Sequence, residues 1–395
     1  MASTSTHRDR ADLKALIYRP EVRQLAYQVA LLVLLAFAAV WVVNNVAANL
    51  RRLNIASGFD FLGRTSGFDI SQSLIEYSNV STYGRAFWVG LINTLLVAGL
   101  GIVAATVIGF VVGIARLSSN WLIARLATVY VEVLRNIPLL LQLFFWYFAV
   151  LKSLPSPRQS YALPGGLFLN VRGVSLPAPL PQPGFEAVAI AFTAGLLLAV
   201  GIRWWARRRQ TLTGKRFPVL WTALLMIFGL PLAVFFGSGS PLSLEYPELR
   251  GFNFQGGITV LPEFIALWLG LTTYTASFIA EIVRAGILGV PKGQTEAAQA
   301  LGLSRGETLR LVIIPQATRI VIPPLTNQYL NLTKNSSLAV AIGYPDFVSV
   351  TGTILNQTGQ AVEVILMTMG VYLALSLLTA LFMNWFNSRM ALVER

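Results

Sequence analysis

The stretch TEAAQALGLSRGETLRLVIIPQA, residues 295–317, is moderately polar, although the chain around it is strongly hydrophobic. Residues 296–301 suit about a turn and a half of helix. Gly302 suits the left-handed position that follows a helix. Ser304 and Glu307 form an S-x-x-E capping box, which signals the start of a second helix. The stretch therefore predicts a helix, a sharp turn and another helix.

The composition around this stretch is that of an integral membrane protein. Hydrophobic residues make up 55% of the 395 residues, charged residues make up 12%, and the mean hydropathy is +0.64. Apolar runs of about 20 residues are long enough to cross the hydrocarbon layer as helices and too long for barrel strands. The chain has no cysteine, and its single histidine, His7, lies in a polar N-terminal tail. Thiolate metal sites and histidine-based catalysis are therefore not expected.

Eight apolar segments predict an all-α polytopic membrane protein with about eight transmembrane helices. The first segment has an alternative interpretation as a cleaved signal peptide, although its charged leader is long for that. The predicted spans are residues 26–46, 87–115, 126–150, 186–203, 217–236, 262–284, 318–340 and 362–386.

Lysine and arginine predict the orientation of these spans. An even number of spans places both termini on one side of the membrane. If that side is the cytoplasm, 20 of the 30 Lys and Arg residues lie inside and 8 lie outside. Because cytoplasmic loops carry the excess of positive charge, we expect both termini and residues 295–317 in the cytoplasm. The net charge of +13 is thus read as a topology signal, and no nucleic-acid partner is expected.

Residues 151–185 and the two spans after them have the character of an insertion into a smaller core. Seven prolines lie between Pro155 and Pro183, which predicts an extended or irregular external loop. The basic segment RWWARRRQTLTGKR, residues 203–216, lies between the two inserted spans. We interpret it as a topology determinant, with contact to anionic lipid or to a partner as the alternative.

Within residues 295–317 several side chains suit contact with a partner surface. Ala297, Ala298 and Ala300 are small enough for close approach, and Leu301 and Leu303 provide an apolar knob. An ordinary connecting loop is the alternative interpretation. The prolines predicted to break the chain as it re-enters the membrane are Pro315, Pro323 and Pro324.

The segment EAAQALGLSRGETLRLVIIP resembles the EAA motif of ABC importer permeases. That motif reads E-A-A, three residues, Gly, nine residues and Ile-x-Leu-Pro, and Val312 and Ile314 are conservative departures from it. AEIVRAGILGVPKGQTEAAQALGLS, IIPQATRIVIPPLTNQYLNLTKNSSL and YVEVLRNIPLLLQLFFWYF are similar to the polar amino acid branch. Asn136 and Ile137 stand where that branch has Gly and Thr, which indicates a distinct subfamily.

The resemblance covers about residues 84–152 and 262–390, and the extra first span and the insertion resemble the general L-amino acid and glutamate, glutamine and aspartate permeases. It implies a type I permease core of five helices with an added N-terminal helix and a two-helix insertion. The corresponding division of the chain is 1–83, 84–152, 153–260 and 261–395.

The resemblance also implies partners in a bacterial inner membrane. A periplasmic amino-acid-binding protein would deliver the solute. A second permease subunit, expected to be a different chain, would complete the path. Cytoplasmic ATPase subunits would drive the transport. The chain contains no G-x-x-x-x-G-K-[ST] sequence, so ATP and Mg²⁺ are expected in the ATPase and no cofactor is expected here. The residues implied in ATPase coupling are Glu296, Ala297, Ala298, Leu301, Gly302 and Pro315.

Polar side chains within the predicted spans are candidates for the substrate path, because such groups are costly in a membrane. They form stripes at helical spacing, and the competing interpretation is that Glu132 pairs with Arg135 and Glu281 with Arg284. The path candidates are Glu132, Arg135, Thr273, Ser277, Asn327, Asn331, Lys334 and Asn335.

Two other function classes are weighed against a permease subunit. An ion-coupled secondary transporter would also cross the membrane many times, but it would have no use for a cytoplasmic two-helix docking element. A membrane enzyme or receptor subunit is disfavoured, because the chain shows no nucleophile–base pair and no metal cluster.

Overall fold

The computed structural model describes residues 20–52, 58–215 and 217–390. Most of this part of the chain is helical. The helices are α1 Pro20–Arg52, α2 Tyr83–Ala115, α3 Trp121–Asn136, α4 Leu139–Leu151, α5 Phe185–Thr213, α6 Val219–Gly237, α7 Pro262–Leu288, α8 Lys292–Ala300, α9 Arg305–Ile342, α10 Phe347–Thr358 and α11 Ala361–Met390, with short 3-10 turns at Asp60–Gly63 and Pro157–Gln159.

Six helices in the described ranges are long and apolar enough to cross a membrane, and two bent helix pairs bring the number to eight. Helices α1, α2, α5, α6, α7 and α11 are the six. The pairs are α3 with α4, bent by 107°, and α9 with α10, bent by 54°. The predicted polytopic helical protein of about eight spans is confirmed.

The predicted span at residues 126–150 is not one straight helix. Ile137 and Pro138 have extended backbone conformations, and α3 and α4 meet there at 107°. Pro138 lacks an N–H group and disfavours the helical conformation of the residue before it. The Gln142 side chain then donates hydrogen bonds to the carbonyls of Leu134 and Ile137, at 2.8 and 2.9 Å, which satisfies the end of α3.

The proline-rich segment and the residues before α7 form short strands. They are β1 Tyr161–Leu163, β2 Leu167–Asn170, β3 Gly173–Leu176, β4 Ala178–Pro181, β5 Leu242–Glu245, β6 Glu248–Arg250, β7 Asn253–Gln255 and β8 Ile258–Val260. Antiparallel pairing gives a four-stranded sheet in the order β1-β2-β3-β8 and two ribbons, β4-β5 and β6-β7. The predicted extended or irregular loop contains four short strands, and two of them pair with strands that follow the inserted helix pair, which satisfies part of its backbone groups.

The described chain divides into two compact units. One comprises residues up to 70, 75–89 and 350–373, and its buried core is formed by Phe61, Tyr83, Ala86, Val350, Ile354 and Val364. The other comprises residues 71–74, 90–349 and those from 374 onward, and it contains residues 295–317 and the polar stripes of the predicted spans.

Close helix contacts build the core of the second unit. A Cβ atom added to Gly109 of α2 would lie 2.6 Å from the Ile279 side chain of α7. An added Cβ at Gly286 of α7 would overlap Val321 of α9. Glycine at these positions allows the helices to approach one another. The largest fully buried side chains in this core include Leu143, Leu267, Leu271 and Leu332.

Candidate functional site

The turn between α8 and α9 has the geometry that the sequence predicts. Gly302 has a φ of +79° and donates its N–H to the Gln299 carbonyl at 2.9 Å. Leu303 donates its N–H to the Ala298 carbonyl at 3.1 Å. These two hydrogen bonds define a Schellman motif, and the left-handed conformation explains why glycine occupies the turn.

The capping box at the start of α9 is present in full. The Glu307 N–H donates to the Ser304 hydroxyl at 3.3 Å, and the Ser304 N–H donates to the Glu307 carboxylate at 2.9 Å. The Ser304 hydroxyl also donates to that carboxylate at 2.7 Å. These hydrogen bonds favour the charged form and lower the pKa of Glu307 below its ordinary value.

The segment α8–turn–α9 start, residues 292–308, exposes most of the side chains that were expected to face a partner. We call it the coupling segment. Leu301 is 81% exposed, and Glu296 and Ala297 are exposed as well. Ala298 is only 3% exposed, so in this conformation it packs inside the chain and offers little surface to a partner. Helix α8 also begins at Lys292, four residues earlier than the predicted start at 296.

The predicted chain breaks at the prolines are wrong. Helix α9 runs on through Pro315, and Pro323 and Pro324 lie inside its Ile314–Asn335 portion. Just before Pro315, residues Leu309–Ile313 form a wider π turn. Such a turn changes the spacing of the backbone hydrogen bonds. The missing N–H of Pro315 therefore falls where the regular α-helical hydrogen bonds are already interrupted, and the helix continues.

Charged side chains from α3, α7 and the residue after α2, which range from buried to exposed, form an ion cluster. Arg116, which is 8% exposed at its side chain, hydrogen bonds to the Glu281 carboxylate. Glu281 also lies 3.5 Å from Arg284 and 3.9 Å from Arg135, and Arg116 lies 3.9 Å from Glu132. We call these five residues the ionic cluster.

Of the two ion pairs that the sequence suggested, the described part of the chain contains one and lacks the other. Glu281 does pair with Arg284, three residues along the same helix. Glu132 instead lies near Arg116 and Arg135 near Glu281, because these residues come closer than the i+3 neighbour. Arg116 directly follows the predicted span 87–115, so the sequence marks it only as one of the 20 positive charges expected on the cytoplasmic side. Its pairing depends on tertiary packing and has no local sequence signal.

The hydroxyl groups of Thr273 and Ser277 on α7 are already satisfied within their own helix. Thr273 donates to the Leu269 carbonyl at 2.7 Å, and Ser277 donates to the Tyr274 carbonyl at 2.6 Å. Ser277 is fully buried. In this conformation these two path candidates therefore do not present free hydroxyl groups to a solute, and their role in a path stays a prediction.

One face of α9 presents polar side chains at the surface of this chain. Asn327, Asn331 and Lys334 are exposed at spacings of four and three residues, and Asn335 is half-buried beside them. Within the described ranges no hydrogen bond or ion pair engages these four side chains. We call Asn327, Asn331, Lys334 and Asn335 the polar face of α9. It can bind a solute through amide groups and one ammonium group.

The sequence of this chain matches a known protein family. The profile described as "Binding-protein-dependent transport system inner membrane component" matches residues 187–392, which is more than half of the chain. The chain belongs to this family. It is accordingly an inner-membrane permease subunit, which sets aside the ion-coupled transporter and the membrane enzyme. The match includes the inserted helices α5 and α6, beyond the range of the resemblance read from the motifs.

Curated relatives align along nearly the whole chain. The "General L-amino acid transport system permease protein AapQ" of Rhizobium johnstonii is 56% identical and covers 100% of this chain and 98% of its own. The "Putative amino-acid ABC transporter permease protein YhdX" of Escherichia coli is 52% identical, with coverages of 95% and 96%. The "Glutamate/glutamine/aspartate/asparagine transport system permease protein BztB" of Rhodobacter capsulatus is 40% identical, with coverages of 97% and 97%.

Proposed function

We propose that this permease subunit forms one side of a transmembrane path for polar L-amino acids. The polar face of α9 is the observation that carries the proposal. Its exposed amide and ammonium groups have no partner among the described residues, and exposing them to lipid would be costly. A water-filled path between this chain and a second permease subunit removes that cost.

The chemistry of this face suits an amino acid that carries extra polar or acidic groups. Lys334 supplies a cation for a carboxylate, and Asn327 and Asn331 each supply both a donor and an acceptor. The names of all three relatives refer to amino acids, and BztB is named for glutamate, glutamine, aspartate and asparagine. These names support polar L-amino acids as the substrate class.

The coupling segment is the proposed contact with a cytoplasmic ATPase. Leu301 projects from the turn, while Glu296 and Ala297 lie on exposed surface. The tight turn joins α8 directly to α9, the helix that carries the polar face, so movement of a docked ATPase can move that face as a rigid body. ATP and Mg²⁺ bind to the ATPase in this arrangement. A periplasmic binding protein delivers the amino acid, and the second permease is a different chain.

The proposal places both termini and the coupling segment in the cytoplasm and the β strands outside. Cysteine labelling tests this directly, because the chain has no native cysteine. In intact cells we expect an impermeant maleimide to react with Ser160→Cys and to leave Arg208→Cys unreacted. Labelling of Arg208→Cys from outside would reverse the proposed orientation.

Reconstitution tests the function as a whole. The chain would be assembled in vesicles with its partner permease, its ATPase and its binding protein, and uptake of labelled glutamate, glutamine and leucine would be measured with and without ATP. We expect ATP-dependent uptake of the polar amino acids. Glu296→Lys should insert normally but lose the co-purifying ATPase, because it reverses the charge of an exposed coupling residue. Uptake that persists without ATP and ATPase would refute the proposal.

A further inference from the structure

The inserted helices α5 and α6 form a hairpin that packs on itself. Gly195 of α5 lies so close to the backbone carbonyl of Met226 that an added Cβ would overlap it. Residues 185–202 of α5 span about 27 Å at the helical rise of 1.5 Å per residue, which is close to the hydrocarbon thickness. The remaining part of α5, from Arg203 to its end at Thr213, therefore reaches the headgroup level.

Positive charge is concentrated at this level with no compensating carboxylate. We define the basic cluster as Arg203, Arg207, Arg208, Arg209 and Lys215. The sequence contains no aspartate or glutamate between residues 187 and 244. No described carboxylate lies within 4.0 Å of any member of the cluster. The fold itself therefore leaves these charges unneutralised.

Tryptophan side chains hold two of these arginines in a defined arrangement. The Arg208 guanidinium lies 5.8 Å from the ring centre of Trp204, and the Arg209 guanidinium lies 5.4 Å from that of Trp205. The two tryptophans are 66% and 48% exposed. Exposed tryptophan is typical of the membrane–water interface, so the stacked guanidinium groups are placed where lipid phosphates lie.

Local structure does not account for this concentration of charge. Arg203 and Arg207 are four residues apart on one helix, a spacing at which like charges repel. The helix dipole favours cations mainly in the last turn of a helix, and the last turn of α5 carries none. A bound anion would remove the repulsion.

We propose that the basic cluster binds the phosphate headgroup of an anionic phospholipid. Exposed apolar side chains one and two turns earlier on α5, including Leu197 at 71% and Val200 at 69%, adjoin the cluster and accept the acyl chains. This combination of a cation group, interfacial aromatics and an apolar approach fits a membrane lipid better than an acidic protein surface. The binding does not depend on the proposed transport path.

The test uses the full-length chain in a neutral detergent, titrated with phosphatidylglycerol and followed by native mass spectrometry. Phosphatidylcholine of the same chain length is the neutral control, and inorganic phosphate tests for a site that binds a free anion. We expect Arg207→Gln/Arg208→Gln to weaken phosphatidylglycerol binding about thirtyfold, from the usual contribution of two juxtamembrane cations. Arg207→Lys/Arg208→Lys should restore most of the binding.

The matched control is Arg64→Gln/Arg172→Gln, which removes two exposed charges outside the hairpin. Labelling of Ser160→Cys in each variant checks that the segment before α5 still lies outside. Three results would overturn the proposal: equal binding of phosphatidylcholine, saturation by inorganic phosphate alone, or equal losses in the test and control pairs. Unchanged lipid binding with loss of the co-purified ATPase would assign the cluster to a protein contact instead.

Discussion

The ionic cluster and the coupling segment are both rich in polar groups, but they satisfy them in opposite ways. In the ionic cluster, Arg116 is buried and its partner Glu281 is shared with arginines from α3 and α7. In the coupling segment, Ser304 and Glu307 satisfy each other within one turn and remain exposed. The ionic cluster therefore connects different parts of the helical core, whereas the hydrogen bonds of the coupling segment stabilise only its own turn.

This difference predicts where substitutions act. Removing Glu281 takes away the hydrogen-bond partner of the buried Arg116, so the cost falls on the whole fold. A substitution in the coupling segment changes a local turn and leaves the membrane helices intact. The two regions therefore separate effects on stability from effects on partner binding.

The largest effect is expected for Glu281→Gln. It removes the carboxylate shared by three arginines, and among the described residues it leaves buried Arg116 with only Glu132, 3.9 Å away. Loss of one partner of a buried ion pair costs about 3 to 5 kcal/mol. Unfolding of the full-length chain in mixed micelles, followed as a function of SDS mole fraction, measures this loss.

Glu296→Gln is the matched control for this comparison, because the same chemical change falls on an exposed side chain of α8. It should leave the SDS midpoint unchanged. Replacing the pair together, as Arg116→Met/Glu281→Leu, should recover part of the stability. If Glu281→Gln and Glu296→Gln unfold alike, the distinction between the two regions fails.

A second prediction adds the polar face of α9 to the comparison between the ionic cluster and the coupling segment. Asn331, on the polar face of α9, has neither a local nor a tertiary partner among the described residues. Asn331→Leu should leave the SDS midpoint unchanged but reduce uptake roughly ten- to hundredfold, because a hydrogen bond to a charged solute contributes about 1.5 to 3 kcal/mol. ATP-driven uptake in reconstituted vesicles is the measurement.

Thr193→Val on α5 provides the control for Asn331→Leu. The Thr193 hydroxyl is exposed and donates to the Ala189 carbonyl of its own helix at 2.6 Å. Its loss should not alter uptake. Normal uptake by Asn331→Leu and by Asn327→Leu would remove the polar face of α9 from the path.

A third prediction concerns the turn of the coupling segment. Gly302 has a φ of +79°, and an added Cβ would meet no atom within 4 Å, so only backbone strain opposes a side chain there. Gly302→Val should cost about 1 to 2 kcal/mol locally. That strain is relieved by rotating α8 or the start of α9. We expect normal membrane insertion with loss of the co-purifying ATPase.

Gly302→Asn is the informative companion, because asparagine tolerates the left-handed conformation much better than valine. It should retain most of the ATPase. Equal retention by the glycine, asparagine and valine forms would mean that the shape of this turn is irrelevant to coupling.

The sequence predicts the coupling segment well because its geometry depends on neighbouring residues. Gly302, Ser304 and Glu307 specify the Schellman turn and the capping box through contacts within six positions. The helix start at Lys292 is missed because no capping side chain marks it.

Tertiary contacts explain what the sequence does not predict. Glu132 and Arg135 have ideal spacing for a local pair. Once the helices pack, however, Glu132 lies near Arg116 and Arg135 lies near Glu281. The strands of residues 161–181 pair in part with residues 242–260, far along the chain. The bend at Pro138 did carry a local signal, since proline disfavours a helical residue before it.

The smallest expected effect tests how local the coupling segment is. Ser304→Ala removes the hydroxyl that accepts the Glu307 N–H and donates to its carboxylate. Loss of such a cap should speed backbone hydrogen exchange at the start of α9 roughly fivefold. Mass spectrometry of the full-length chain in lipid nanodiscs measures exchange in peptides covering the turn, and Ser304→Asp should retain protection because aspartate also caps helices.

The effect also has a defined pH dependence. Because the pKa of Glu307 is lowered in the folded state, its contribution is complete above the ordinary glutamate value of 4.5 and is lost as the pH falls through the lowered pKa. After correction for intrinsic exchange rates, the difference between wild type and Ser304→Ala should be constant above that value and shrink below it. Exchange in peptides that contain Arg116 and Glu281 should be identical in both proteins. If it changes with Ser304→Ala, the coupling segment and the ionic cluster are one cooperative unit and the distinction between them is wrong.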